Sequence, residues 1–147
     1  MIVDPLSRQD DGITLSSRLA SAALQAQSVR MRVVSENIAN ADATATTPGG
    51  DPYTRKTITF RQELDRASGV RVVGVRNIGA DKAPFGVRFD PGHPGADAEG
   101  YVKVSNVNVL VEMADLREAV RSYEANVQII KFSRSLSSMT IDLLRNS

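Results

Sequence analysis

The chain contains no cysteine and no tryptophan, one histidine, and only seven aromatic residues, four Phe and three Tyr. Without cysteine there is neither a disulfide framework nor a thiolate metal site. Such a composition is compatible with an oxidising compartment. So few aromatics cannot fill a large core, so small and β-branched residues must do most of the packing, which suits helix stripes and short strands. No window approaches the roughly 18 consecutive apolar residues of a bilayer-spanning helix. An excess of either charge is also missing: 18 basic against 17 acidic residues leave a net charge of +1. That excludes the electrostatic footprint of a nucleic-acid or anionic-membrane binder. Arg30 with Arg32, and Arg71 with Arg76, alternate with apolar residues and read as solvated faces. The start "MIVDPLSRQDDGITL" has acids and a proline where a secretory signal needs a basic start and an apolar run, so any export is expected to proceed without a cleaved signal. At 147 residues the chain is one domain, or a small domain with long extensions.

What is present falls into three zones: 1–40, 41–106 and 107–147. In the first, Leu15, Leu19, Ala22, Ala26, Val29 and Val33 recur at alternating spacings of four and three, a heptad seam. Thr14 or Asp11 is placed to cap its start, giving a helix of about 25 residues that runs into "SENIANADATAT". In the last zone Met113, Leu116, Val120, Tyr123, Val127 and Ile130 repeat in the same way. Beyond Ile130 that register lands on Arg134 and Ser137, and a shifted seam takes over through Ile129, Phe132, Leu136, Met139 and Leu143. Such a shift rotates the apolar stripe around the helix axis. A helix from Val109 to Leu144 would be about 50 Å long at 1.5 Å per residue, longer than a compact domain of this size requires.

Between the helices the period changes. Tyr53–Phe60, Gly69–Gly79 (interrupted by Gly74), Phe85–Phe89 and Gly100–Val104 read as strands, separated by Gly- and Pro-rich turns. The expected fold is α+β: long terminal helices forming a coiled-coil-like axial pair around a small central β-rich unit.

One cluster invites an enzymatic reading. Asp90, His93, Asp97 and Glu99 lie within ten residues in "DPGHPGADAEG". A hydrolytic metal site needs convergent ligands on a rigid frame, and here they sit on a turn crowded with glycine and proline, without a second histidine. Turn chemistry, with Asp90 making an Asx-type turn before Pro91, is the better account. No nucleophile motif or phosphate-cradling glycine loop is present. The chain is therefore expected not to be an enzyme, and to need no cofactor, metal or small-molecule substrate.

The seams carry more. A simple antiparallel helix hairpin would explain one stripe on each helix. Two features ask for more. Asn37 falls beside the first seam, one turn beyond Val33, and Asn126 lies three residues after Tyr123. Polar seam residues cost stability and are best attested as setting register or partner choice. The stripe shift near Ile130 gives the long helix one neighbour early and another late. Heterologous contacts of that kind close into rings or propagate as filaments. A coiled-coil adaptor that binds a partner helix without polymerising is the second reading, and a hydrolase a distant third.

The stretches "SVRMRVVSENIANADAT", "GGDPYTRKTITF" and "DPGHPGADAEGYVKVSNVNVLVEMADLREAVRSYEANV" resemble, in order, the flagellar rod and hook axial proteins. "DPGHPGADAEGYV" and "NVNVLVEMADL" point to the proximal-rod branch, which the small middle unit also suits. One departure is Ser105, where that branch usually has Pro, which is expected to relax the strand-to-helix junction. The resemblance implies a structural subunit of the drive shaft that carries motor torque across the periplasm, exported by the flagellar type III apparatus without a cleaved signal. It implies as partners other copies of the chain, the proximal-rod proteins FlgB and FlgF, and FliE. On this reading both seams, with Asn37, Ile38, Asn40 and Asn126, are subunit-interface residues. Asn37 and Asn40 would bond at the helix end or across to a neighbour.

Overall fold

The computed structural model describes residues 5–66 and 68–145, with only the helical backbone described for residues 5–11. Among the described residues two long helices and four strands follow one another along the chain in the order α1 (Pro5–Ala39), β1 (Lys56–Asp65), β2 (Val70–Ala80), β3 (Gly86–Phe89), β4 (Tyr101–Val104), α2 (Val109–Arg145). This is the expected α+β arrangement. α1 is longer than its seam suggested, because the helix runs straight through Asp11 and Thr14 back to Pro5. Proline is tolerated in the first turn, where its missing N–H would have had no intrahelical partner. At its other end α1 is stopped by Asn40. The Asn40 backbone N–H (3.2 Å) and its side-chain amide (2.8 Å) both donate to the Glu36 carbonyl, so the freed helix end is satisfied locally. α2 begins at an N-cap: Asn108 Oδ1 accepts from the N–H groups of Leu110 (3.1 Å) and Val111 (3.3 Å).

β1 and β2 form a two-stranded sheet. Gly69 N–H donates to Asp65 O at the turn and Asp81 N–H to Arg55 O at the open end, which makes the pair an antiparallel hairpin. Gly74 lies inside β2, where an added Cβ would meet the Glu63 side chain at 2.8 Å. β3 and β4 pair antiparallel from Gly86↔Val104 to Phe89↔Tyr101, with the two aromatic rings edge to face at 5.3 Å. Each predicted strand is present, but β1 begins at Lys56 and not Tyr53. The side chains of Tyr53 and Arg55 are engaged elsewhere, as described below.

Contacts divide the chain into two compact units that cut across the three sequence zones. One comprises α1 as far as Ser28, Phe60–Gly74 and α2 from Ala119 onward; the other comprises Val29–Thr59 and Val75–Glu118. In the first, Ala20, Ala26, Ala119 and Ser133 are buried, so small side chains fill its interior. In the second, Val33, Val34, Ala45 and Val102 are buried, together with the polar Asn37, Ser105 and Glu112.

Ser105, where a looser junction was expected, makes two hydrogen bonds there. Its N–H donates to Ala43 O at 3.0 Å, a bond proline cannot make, and its Oγ accepts from Val107 N–H at 3.3 Å. The loop between β3 and β4 is turn chemistry, though the Asx-type turn is made by Asp97, whose Oδ1 accepts from the N–H groups of Glu99 (3.1 Å) and Tyr101 (2.7 Å). Gly95 is buried where the loop backbone meets Ala45, and an added Cβ would lie 2.0 Å from Ala45 O. Gly95→Ala must therefore push the loop off its support. A destabilisation of about 1–3 kcal/mol is expected, read as a lowered thermal melting midpoint of the purified chain.

Candidate functional site

The centre of the second unit is a buried polar clasp. Asn37, near the end of α1, is 1% exposed and uses every hydrogen-bonding position of its side chain. Its Oδ1 accepts from Lys56 N–H (2.8 Å) and from the Tyr53 hydroxyl (2.9 Å). Its Nδ2 donates to Lys56 O (2.9 Å) and to Glu112 Oε2 (2.9 Å). One primary amide thus pairs with both backbone groups of a single residue at the start of β1, as a neighbouring antiparallel strand would, and also reaches α2.

Glu112, in the first turn of α2, is 0% exposed. Its second oxygen accepts from Arg55 Nε at 2.7 Å, and the N-terminal end of the helix dipole favours its negative charge. Arg55 continues to Asp81 (3.1 Å), while Arg55 N–H donates to Asn106 Oδ1 (2.8 Å). Burial on its own would lower the Arg55 pKa, but the bonds to Glu112 and Asp81 outweigh it and the value is raised. Asp81 is held below the usual carboxylate range, first by the Ala83 N–H and then by Arg55. On the surface side, Lys56 Nζ donates to Glu36 (2.7 Å), which lowers the Glu36 pKa and raises that of Lys56. Removal from water raises the Tyr53 pKa. Arg30 of α1 pairs with Asp115 and, at 3.5 Å, with Glu118 of α2. Moving from Arg30 to Asn37 along α1 means moving from Asp115 back to Glu112 along α2, so the two helices are antiparallel here.

The sequence reading gave Asn37 a bond at the helix end or to a neighbouring subunit. In the structure its capacity is spent inside the chain, and Asn40 alone caps the helix. Of the other α1 positions, Ala26 and Val33 are buried, Leu15, Ala22, Val29, Ile38 and Asn40 half-buried, and Leu19 exposed. On α2, Leu116, Tyr123, Asn126, Val127, Ile130 and Leu136 are half-buried, whereas Met113, Val120, Phe132, Met139 and Leu143 are exposed. Asn126 bonds its own helix, donating to Ser122 O at 2.7 Å. The buried positions of α2 are Glu112, Ala119 and Ser133, spaced by multiples of seven with Asn126 between. Small and polar side chains hold its fully buried positions, while its large apolar ones are half-buried or exposed. Phe132 is 65% and Leu143 74% exposed. Residues Tyr53, Arg55, Lys56, Asp81 and Glu112 were not singled out from sequence. The available signal was Glu112 itself, a lone acid inside the apolar run "VLVEM".

The turn that invited a hydrolase reading is occupied by its own backbone. His93 Nδ1 accepts from Gly95 N–H (2.9 Å), which places the proton on Nε2, facing Thr44 Oγ1 at 3.1 Å. Among the described residues no group of three His, Cys, Asp or Glu is placed to hold a metal ion. No helix among them is long and apolar enough to cross a membrane.

Comparison with known proteins meets this geometry at both sides of the clasp. The family model "Flagella basal body rod protein" matches residues 18–45, which contain Asn37. The model "Flagellar basal body rod FlgEFG protein C-terminal" matches residues 98–143, which contain Glu112. Two terminal helices locked to a small β unit are thus those of a flagellar axial protein. The relatives narrow the class. "Flagellar basal-body rod protein FlgC" of Agrobacterium fabrum is 55% identical over 137 residues, covering 93% of this chain and 99% of its own. The protein so named in Salmonella typhimurium is 40% identical over 127 residues, covering 85% and 92%. That of Borreliella burgdorferi is 35% identical, covering 91% and 99%. The chain belongs to the FlgC family. It is a structural subunit of the flagellar basal-body rod.

Two outcomes are expected of the clasp. Asn37→Leu strands Lys56 N–H, the Tyr53 hydroxyl and one oxygen of Glu112 without partners, and should cost about 3 kcal/mol or more in urea unfolding of the purified chain. The second concerns pH. Asp81 and Glu36 have lowered folded pKa values, so their contribution is complete above the ordinary carboxylate values and disappears as pH falls through the lower folded ones. Lys56 has a raised value, so its contribution holds below its ordinary value and fades as pH rises through the folded one. Stability from these groups should form a plateau between the two limits and fall on acidification below about pH 4. Because Glu36 and Lys56 are solvent-facing, added salt should shrink their share.

Proposed function

We propose that this rod subunit carries load through two devices. The clasp fixes its helices and hairpin to one another, and the apolar residues left outside on α2 bury against helices of neighbouring subunits. The observation that carries this reading is the distribution of exposed apolar groups. Among the described residues, eighteen large apolar side chains are left exposed and eleven of them lie on α2. A lone Phe or Leu at a surface is ordinary, but a row of them along one helix marks an interaction face. Each such contact contributes about 25 cal/mol per Å² of apolar surface removed from water, and a shaft gains torsional stiffness by summing many of them.

On this reading the interface comprises Leu15, Leu19, Ala22 and Val29 with Ile38 on α1. On α2 it comprises Met113, Leu116, Val120, Tyr123, Val127 and Ile130, followed by Phe132, Leu136, Met139 and Leu143. Asn37 supports it from within. Regions 1–40 and 107–147 serve as the axial helices and 41–106 as the outer unit. The partners are further copies of the chain, FlgB, FlgF and FliE, reached after passage through the flagellar type III export apparatus. The role is mechanical, without catalysis. The adaptor reading has less support, because rod proteins are similar to this chain over nearly its full length.

The test separates folding from assembly. Phe132→Ser changes an exposed residue, so monomer stability should stay within about 0.5 kcal/mol of the parent. In a strain lacking the gene, the same variant should enter purified basal bodies poorly by mass spectrometry and restore little swimming, where the unaltered chain restores both. Normal incorporation of Phe132→Ser would remove α2's outer stripe from the interface.

A further inference from the structure

Charge is unevenly distributed along the chain. The hairpin segment Lys56–Ala80 carries five basic residues against two acidic ones, so with a net charge of +1 overall the remainder is net −2. Within the first unit, β1 and β2 bound a shallow groove of about 310 Å³ lined by Phe60, Arg61, Gln62, Arg71, Val72 and Val73. Its apolar lining comes from Phe60 and the two valines. Arg61 is engaged by Glu63, whereas Arg71 is exposed and, among the described residues, has no ion-pair partner. Arg66, next to the hairpin turn, is likewise exposed and without an ion-pair partner among them.

The second unit presents the opposite charge on a rigid support. The turn Gly95–Gly100 carries Asp97 and Glu99 and no base. Asp97 is committed to holding the turn, and Gly100 N–H donates to Asp97 O at 3.1 Å. Gly95 seats against Ala45, and Gly100 adopts φ +85°, a conformation suited to glycine. Glu99 lends only its backbone N–H to this scaffold. Its side chain is exposed and, among the described residues, lacks an ion-pair partner.

We propose that the acidic turn Gly95–Gly100 of one copy docks on the cationic hairpin groove of a second copy, with Glu99 meeting Arg71. This deepens the rod-subunit reading and rests on it. The two surfaces lie on different parts of the chain, so the contact is heterologous, the kind that repeats along an open helical assembly and does not close on itself as a symmetric dimer does. Charge complementarity fixes the register and excludes the reverse pairing, because like charges brought together at an interface are strongly disfavoured. Every copy carries both halves, so a charge swap within one chain can restore what either single change removes.

The experiment complements a deletion strain with the unaltered chain, Arg71→Glu, Glu99→Arg, and the double variant. Swimming and the amount of chain in purified basal bodies are read, with far-UV circular dichroism of each purified variant as the folding control. Each single reversal is expected to lower incorporation about tenfold, and the double to return it to within about twofold of the parent. Should Arg71→Glu fail to fold, Arg71→Gln replaces it, and the prediction becomes a smaller loss with Glu99→Gln giving the same. Unimpaired single variants overturn the contact. So does a double variant no better than the singles. A defect confined to Arg71→Glu also overturns it, since the groove would then serve an anionic polymer or another subunit. If the unaltered chain neither restores swimming nor enters basal bodies, the rod reading fails, and this contact with it.

Discussion

The arrangement of this subunit depends on one side-chain amide. A primary amide has the donors and acceptor of a peptide group, and Asn37 uses both sides of that likeness. It pairs with the N–H and C=O of Lys56 as a strand would, and its remaining positions hold Glu112 and Tyr53. Helix, hairpin and second helix converge on a group a few ångströms across. Burying a carboxylate beside it would be prohibitive without compensation. Here Arg55, the Asn37 amide and the start of α2 each supply part of it. The network is therefore cooperative: losing one member leaves the others buried and unsatisfied. What it gives the subunit is specificity of arrangement, which a purely apolar contact between these elements would supply less sharply.

The same economy explains why α2 looks inverted beside a helix of an ordinary globular domain. Its inward positions hold Glu112, Ala119 and Ser133, and its outward ones Phe132, Met139 and Leu143. Small and polar residues occupy the fully buried positions, while bulky groups such as Phe132 and Leu143 are left exposed on the chain's own surface. A helix with this distribution is poorly served by solvent and well served by assembly, which fits its place in the basal-body rod.

Much of this was legible in the sequence, for identifiable reasons. Both helices and all four strands announce themselves because their periods differ and glycine and proline punctuate the boundaries. The end of α1 at Asn40 was legible as well, since a polar run follows an apolar seam. The inner face of α2 was not. Period analysis follows large apolar residues, and here several of them, Met113, Val120, Phe132, Met139 and Leu143, lie exposed while Glu112, Ala119 and Ser133 take the fully buried positions. Asn37 drew attention as a polar residue beside a seam, but its partners Lys56 and Glu112 lie 19 and 75 residues away. Nothing local in the chain says that a backbone amide at Lys56 will need an acceptor there. Ser105 is a related case: replacing a proline reads as loss of rigidity, and the bond its regained N–H makes to Ala43 O is invisible in the sequence.

The hydroxyls along the helix pair of the first unit have a mechanical consequence. Ser16, Ser21, Ser137 and Thr140 each bond the carbonyl four residues earlier in their own helix. Polar groups satisfied in this way make no bond that a small axial slide of one helix past the other must break. In the second unit Asn37 spends its side-chain bonds on β1 and α2, whereas these hydroxyls of the first unit spend theirs inside their own helices. Bonds of that kind hold a helix to itself and leave its outward faces free of polar obligations to the rest of the chain.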